Sequence, residues 1–120
     1  MFRTVSVGSA ILCLALFPLL LLNGGFYVQS YGVTAHAGAD FLGRRASPMF
    51  LGLAALLWFG RNTGIGPARD AICYGMAFMW AGIAATGIYE FTVGTAQPMI
   101  VGAAALELVV AVAFIIARTR

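Results

Sequence analysis

The sequence predicts an all-α fold, an integral membrane four-helix bundle with up-down-up-down topology, as one domain over residues 1–120. Three observations predict it. Hydrophobic residues make up 62% of the chain and charged residues only 9%, where a soluble domain carries about 25% charged residues. Apolar stretches recur at lengths near the ~20 helical residues that cross a ~30 Å hydrocarbon layer, and the mean hydropathy is +0.95. The seven cations are all arginine and stand singly or in pairs at the edges of those stretches, as interfacial anchors do.

Taken in order, residues 5–22 (VSVGSAILCLALFPLLLL) form the first span. The run is long for a signal peptide and no A-x-A-like site follows closely, so an uncleaved helix is expected. Pro18 should bend it near its far end, because the missing N–H frees a carbonyl one turn back. Asn23-Gly24-Gly25 should stop it. Residues 23–45 then read as a long outer loop, with Phe26, Tyr27 and Tyr31 suited to an interfacial aromatic belt and part of the segment suited to a surface helix.

Ser47-Pro48 reads as an N-cap followed by proline at the first helical position, starting a second helix at about 46–61. Its apolar run, Pro48 to Gly60, is only thirteen residues. A start upstream near Asp40 is the other way to reach spanning length. Residues 61–69 make a tight polar connection. Its Gly64-x-Gly66 is too short to be a phosphate loop and follows no strand.

The third helix, about 70–89, opens on Asp70, whose position asks for no role beyond helix capping. Ala77, Ala81 and Ala85 recur every four residues and Gly75 and Gly82 every seven. Such a ridge admits close helix approach, so this helix is expected to be the central packing helix or a homodimer face. The fourth helix, about 98–117, is apolar or small at every position except Glu107, its tenth residue. A carboxylate at that depth costs ~2.5 kcal/mol or more, so it must face other helices, pair with a cation or stay protonated.

Four spans put both termini on one side. Arg3, Arg61, Arg69, Arg118 and Arg120 lie there; Arg44 and Arg45 lie on the other side, with His36, Asp40 and Glu90. The positive-inside rule then predicts cytoplasmic termini in a cell inner membrane. The five functional candidates follow from this layout. Arg44 and Arg45 are expected to pair with Asp40 and Glu90, locking the outer helix ends, or to hold an anionic headgroup. Asp40 and Arg44 are four apart, neighbours on one face if the helix starts at Asp40. Glu107 is either a proton-coupled carboxylate or a structural acid bonded to a backbone carbonyl or to Thr86.

No residues with catalytic spacing are found, and no metal or cofactor is expected: His36 is the only histidine and has no companion ligands at coordinating spacing. Cys13 and Cys73 fall at different depths, beyond the ~7 Å Cα separation a disulfide spans, so two free thiols are expected. Nucleic acid is excluded as a partner, since a net charge of +3 without a basic stripe offers no phosphate footprint.

Four helices in about 120 residues, a junction GRRASPMFLGLAALL and a last helix containing AALELVVA carry a resemblance. The chain resembles small bacterial four-helix membrane proteins grouped as a domain of unknown function, in the neighbourhood of DoxX-like proteins. The redox cysteines of some DoxX-like proteins are not recognisable here, and the resemblance implies no activity. Small multidrug transporters share the length and helix number, but their essential glutamate sits in the first helix, where this chain has no acid. The expected function is therefore non-enzymatic: a small polytopic membrane protein, in contact with the lipid bilayer, as a homo-oligomer or an accessory subunit of a membrane complex. Two alternatives stand beside it, a proton-coupled transporter using Glu107 and a lipid- or quinone-handling enzyme using the outer Asp40, Arg44, Arg45 and Glu90.

Overall fold

A computed structural model describes residues 1–120 as four helices and no strand: α1 (Phe2–Gln29), α2 (Ala37–Gly60), α3 (Pro67–Thr92) and α4 (Met99–Ala117). Three of them, α1, α3 and α4, are long and apolar enough to cross a membrane. The chain is thus an all-α bundle built for a bilayer. Short connections fold it into two antiparallel hairpins, α1–α2 and α3–α4, and α1 touches α4 more lightly. Both termini and the α2–α3 turn lie at one end, where the Arg69 guanidinium joins all three. It donates to the Thr63 carbonyl at 3.0 and 2.8 Å and to the Arg120 carbonyl at 3.0 Å, and it lies 4.5 Å over the Phe2 ring. At the opposite end the Gln97 N–H donates to the Tyr31 carbonyl at 2.9 Å and ties the two hairpin turns together.

Three helices, α1, α2 and α3, are longer than the sequence predicts, while α4 keeps its expected span, and the expected outer loop over 23–45 is mostly helix. Only residues 30–36 connect α1 to α2. Asn23-Gly24-Gly25 does not end α1 but kinks it. Asn23 has non-helical backbone angles (φ −152, ψ 60), and the N–H groups just beyond the break find side-chain acceptors. Asn23 Oδ1 accepts from the Phe26 N–H at 3.1 Å, and Asp40 Oδ1 accepts from the Gly25 N–H at 2.7 Å. The break is in effect a new helix start, and a new helix start needs such caps.

Glycine sets the closeness of the first hairpin. A Cβ on Gly24 would lie 2.8 Å from the Ala39 carbonyl oxygen, and one on Gly43 would lie 2.9 Å from the Leu20 carbonyl oxygen and 3.2 Å from the Gly24 Cα. These are backbone atoms, so no side chain can swing away to make room. The expected ridge of α3 does not play this part. Ala77 is buried, but Ala85 is exposed, and Cβ atoms on Gly75 and Gly82 would meet nothing within 4 Å.

Ser47-Pro48 is not a helix start either, since α2 already begins at Ala37. Pro48 sits inside α2, where its missing N–H leaves the Arg44 carbonyl without its i→i−4 donor. The Ser47 hydroxyl fills the gap, donating to the Arg44 carbonyl at 3.0 Å from a fully buried position. Ser47→Ala should leave that carbonyl orphaned and cost about 1–2 kcal/mol. Equilibrium unfolding in detergent micelles would read it, with Ser47→Thr restoring most of the loss.

The core lies toward the end with the termini. Cys13, Leu57, Cys73 and Phe114 are fully buried there, one from each helix, with Phe2, Met76 and Trp80 almost so. Both cysteines are free.

Candidate functional site

Grooves of about 220 and 380 Å³ flank the core, and neither is lined by an aspartate or glutamate; the candidate site lies in the other half of the bundle. Three clefts, of about 250, 310 and 120 Å³, open between the helices there. Two residues line all three: Glu107 of α4 and Tyr27 of α1. Tyr27 gets there because α1 continues past its kink. Four residues on, its neighbour Tyr31 lines two of the clefts and meets it edge to face, with ring centroids 5.3 Å apart. Trp80, 2% exposed, comes from α3 and lines the 310 and 120 Å³ clefts together with Glu107.

The polar atoms at this junction lack partners. Glu107 is half-buried, and its carboxyl has no hydrogen bond or ion pair within the chain. Thr86, the expected partner, instead donates to the Ile83 carbonyl at 2.8 Å. The Trp80 indole N–H is buried without an acceptor. A buried donor left unpaired costs roughly 1–3 kcal/mol, so native structures rarely leave one without a reason.

The largest departure from the sequence-based expectation is at the arginine pair. Arg44 and Arg45 are exposed on α2 and form no ion pair; the one salt bridge in the chain joins Arg118 to Asp70 at 3.7 Å, at the end that holds the termini. Asp40 serves the α1 kink instead. Glu90 is half-buried and lines the 250 Å³ cleft with Glu107. The outer cluster of Asp40, Arg44, Arg45 and Glu90 therefore does not assemble. Glu90 belongs with Glu107, Asp40 with Gly25, and the arginines with neither. His36 is exposed just before α2.

Sequence reasoning missed Tyr27, Tyr31 and Trp80, placing the tyrosines in an interfacial belt and the tryptophans in packing and belt roles. The i, i+4 spacing of the tyrosines was the available signal, hidden by a glycine pair that reads as a helix end when only its neighbours are considered. Trp58 is exposed at the end of α2, with the Arg61 guanidinium 4.3 Å over its ring and donating to its carbonyl.

Geometry thus defines a class: an all-α, membrane-type bundle with an apolar cleft around an unpartnered carboxyl. No protein family, no curated protein and no solved structure matches the chain. The cleft itself therefore carries the functional argument.

Proposed function

We propose that the chain is a small, non-enzymatic integral membrane protein of the bacterial inner membrane, with cytoplasmic termini, that carries an amphipathic guest in the cleft at Glu107. One observation carries this reading: an intramembrane carboxyl without a partner in the chain lies where three apolar-walled clefts meet. An acid kept in that position is costly and by default functional. The 310 Å³ cleft reaches the lower end of small-ligand sites in volume, and the mainly apolar walls with a few polar groups match such sites in chemistry. The guest and the proton act on one carboxyl, so movement of the guest is coupled to movement of a proton.

The test is proton flux in proteoliposomes holding an internal pH dye. Gradients of three aromatic probes of similar size would be imposed: benzyltrimethylammonium, benzyl alcohol and benzenesulfonate. At least one should drive proton movement in the wild type, and Glu107→Gln should abolish it. Absence of flux with every probe, or flux unchanged in the variant, would overturn the carrier reading.

A second reading, self-association or membership of a membrane complex, has its own support. Gly75 and Gly82 on α3 face open space, and small residues on an uncovered ridge are what a second membrane helix packs against. Gly75→Leu and Gly82→Leu should shift the oligomeric mass in nanodiscs if that face is used. An unchanged mass would remove this reading.

A further inference from the structure

The charges around the cleft specify its guest, on the basis that the cleft at Glu107 is a binding site. The chain has four acidic residues, and two are accounted for: Asp40 caps the kink in α1, and Asp70 pairs with Arg118. The other two, Glu90 and Glu107, line the same 250 Å³ cleft. None of the seven arginines lines that cleft or either of its neighbours. Glu90 and Glu107 thus border one mainly apolar groove whose lining holds no cation, and a groove lined by one sign of charge between apolar walls focuses its field on an ion of the other sign.

The remaining walls suit an organic cation more than a metal ion. No third acid, histidine or cysteine joins the two glutamates. Instead, aromatic rings surround Glu107: Tyr27 and Tyr31, set edge to face, and Trp80. Aromatic faces beside a carboxylate attract ammonium groups by cation–π and ionic terms together. Trp80 borders the same junction, with its indole N–H buried and unpaired.

We propose that the cleft binds a small organic ammonium with an apolar body, held by Glu107 beneath the Tyr27, Tyr31 and Trp80 rings and guided in by Glu90 at the α3–α4 end. The titratable groups facing Glu107 are Tyr27 from α1, Tyr31 just beyond it and Glu90 from α3; α2 contributes only apolar residues and glycine to the shared clefts. Binding displaces a proton from a protonated carboxyl, one cation for one proton. Affinity therefore falls as pH is lowered, because a proton on Glu107 removes the attraction.

Trp80 provides the readout. In a Trp58→Phe background it is the only indole, since the chain has two tryptophans. Its fluorescence would be followed in nanodiscs of zwitterionic lipid while benzyltrimethylammonium, acetylcholine or benzenesulfonate is added. Both cations should change the emission saturably, and the anion should not. Glu107→Gln should weaken the cations ~10-fold or more, and Glu90→Gln by a smaller factor of ~3, as an exposed-side charge does. Circular dichroism would confirm that both variants fold. If benzenesulfonate binds as well as the cations, or if Glu107→Gln leaves cation affinity unchanged, the charge assignment falls while the carrier reading stands on its flux result. If no probe perturbs Trp80, the junction is not a binding site and both fall.

Discussion

Gly43→Val is expected to part the α1–α2 hairpin and to be the most damaging single substitution in the chain. Even one added carbon would meet the Leu20 carbonyl oxygen at 2.9 Å and the Gly24 Cα at 3.2 Å. Relief would require moving one helix backbone away from the other. Overpacking ordinarily costs 1–3 kcal/mol, occasionally more; with backbone on both sides the loss should reach about 3 kcal/mol. Separation would also pull Asp40 from the Gly25 N–H and alter the 310 Å³ cleft, to which Gly24 and Gly43 both contribute. Thermal unfolding in detergent would measure the loss. A Gly43→Val variant as stable as the wild type would mean that the helices do not approach as closely as described. Gly52→Val, on the same helix but with open space around it, is the control and should change little.

Asp40→Ala should have the second largest effect. Its carboxylate accepts the Gly25 N–H at 2.7 Å and places a negative charge at the start of the helical segment that follows the kink. Removing it leaves a buried backbone donor unpaired and deletes a favourable charge–dipole contact, together about 2–3 kcal/mol. Asp40→Asn keeps an acceptor at the same place and should lose less than ~1 kcal/mol. The two variants thus separate the hydrogen bond from the charge. Tyr27 lies beyond the kink, so Asp40→Ala should also disturb the geometry around Glu107, whereas Asp40→Asn should not.

Both substitutions fall where local sequence stops being informative. The number and order of the helices were legible because the length of an apolar run directly reflects the thickness of lipid. Glu107 was legible for the same reason, as the one charge in such a run. The span of α1 beyond Leu22 was not, because Asn-Gly-Gly ends helices when only neighbours are considered. What carries the helix onward is Asp40, fifteen residues from Gly25. Ser47-Pro48 misled in a similar way: the pair that starts helices in isolation here repairs one from within. The Asp40–Arg44 pairing had the right spacing, but the Gly25 N–H already engages Asp40, and Arg44 and Arg45 extend outward. That Glu90 borders the same cleft as Glu107 lay beyond any spacing rule, because α3 and α4 meet antiparallel across a turn.

The closeness of α1 and α2 also bears on how the polypeptide reaches its place in the cell. Of the four segments, α2 alone falls short of the apolarity that directs a helix into lipid, since its first half carries Asp40, Arg44 and Arg45. Emerging alone from the ribosome, it would partition poorly from the translocon. Its strongly apolar predecessor packs against it at Gly24 and Gly43, so the pair offers lipid a more apolar surface than α2 does alone. A bulky side chain at Gly24 or Gly43 is therefore expected to lower the amount of chain recovered in the membrane fraction, which quantitative blotting would measure.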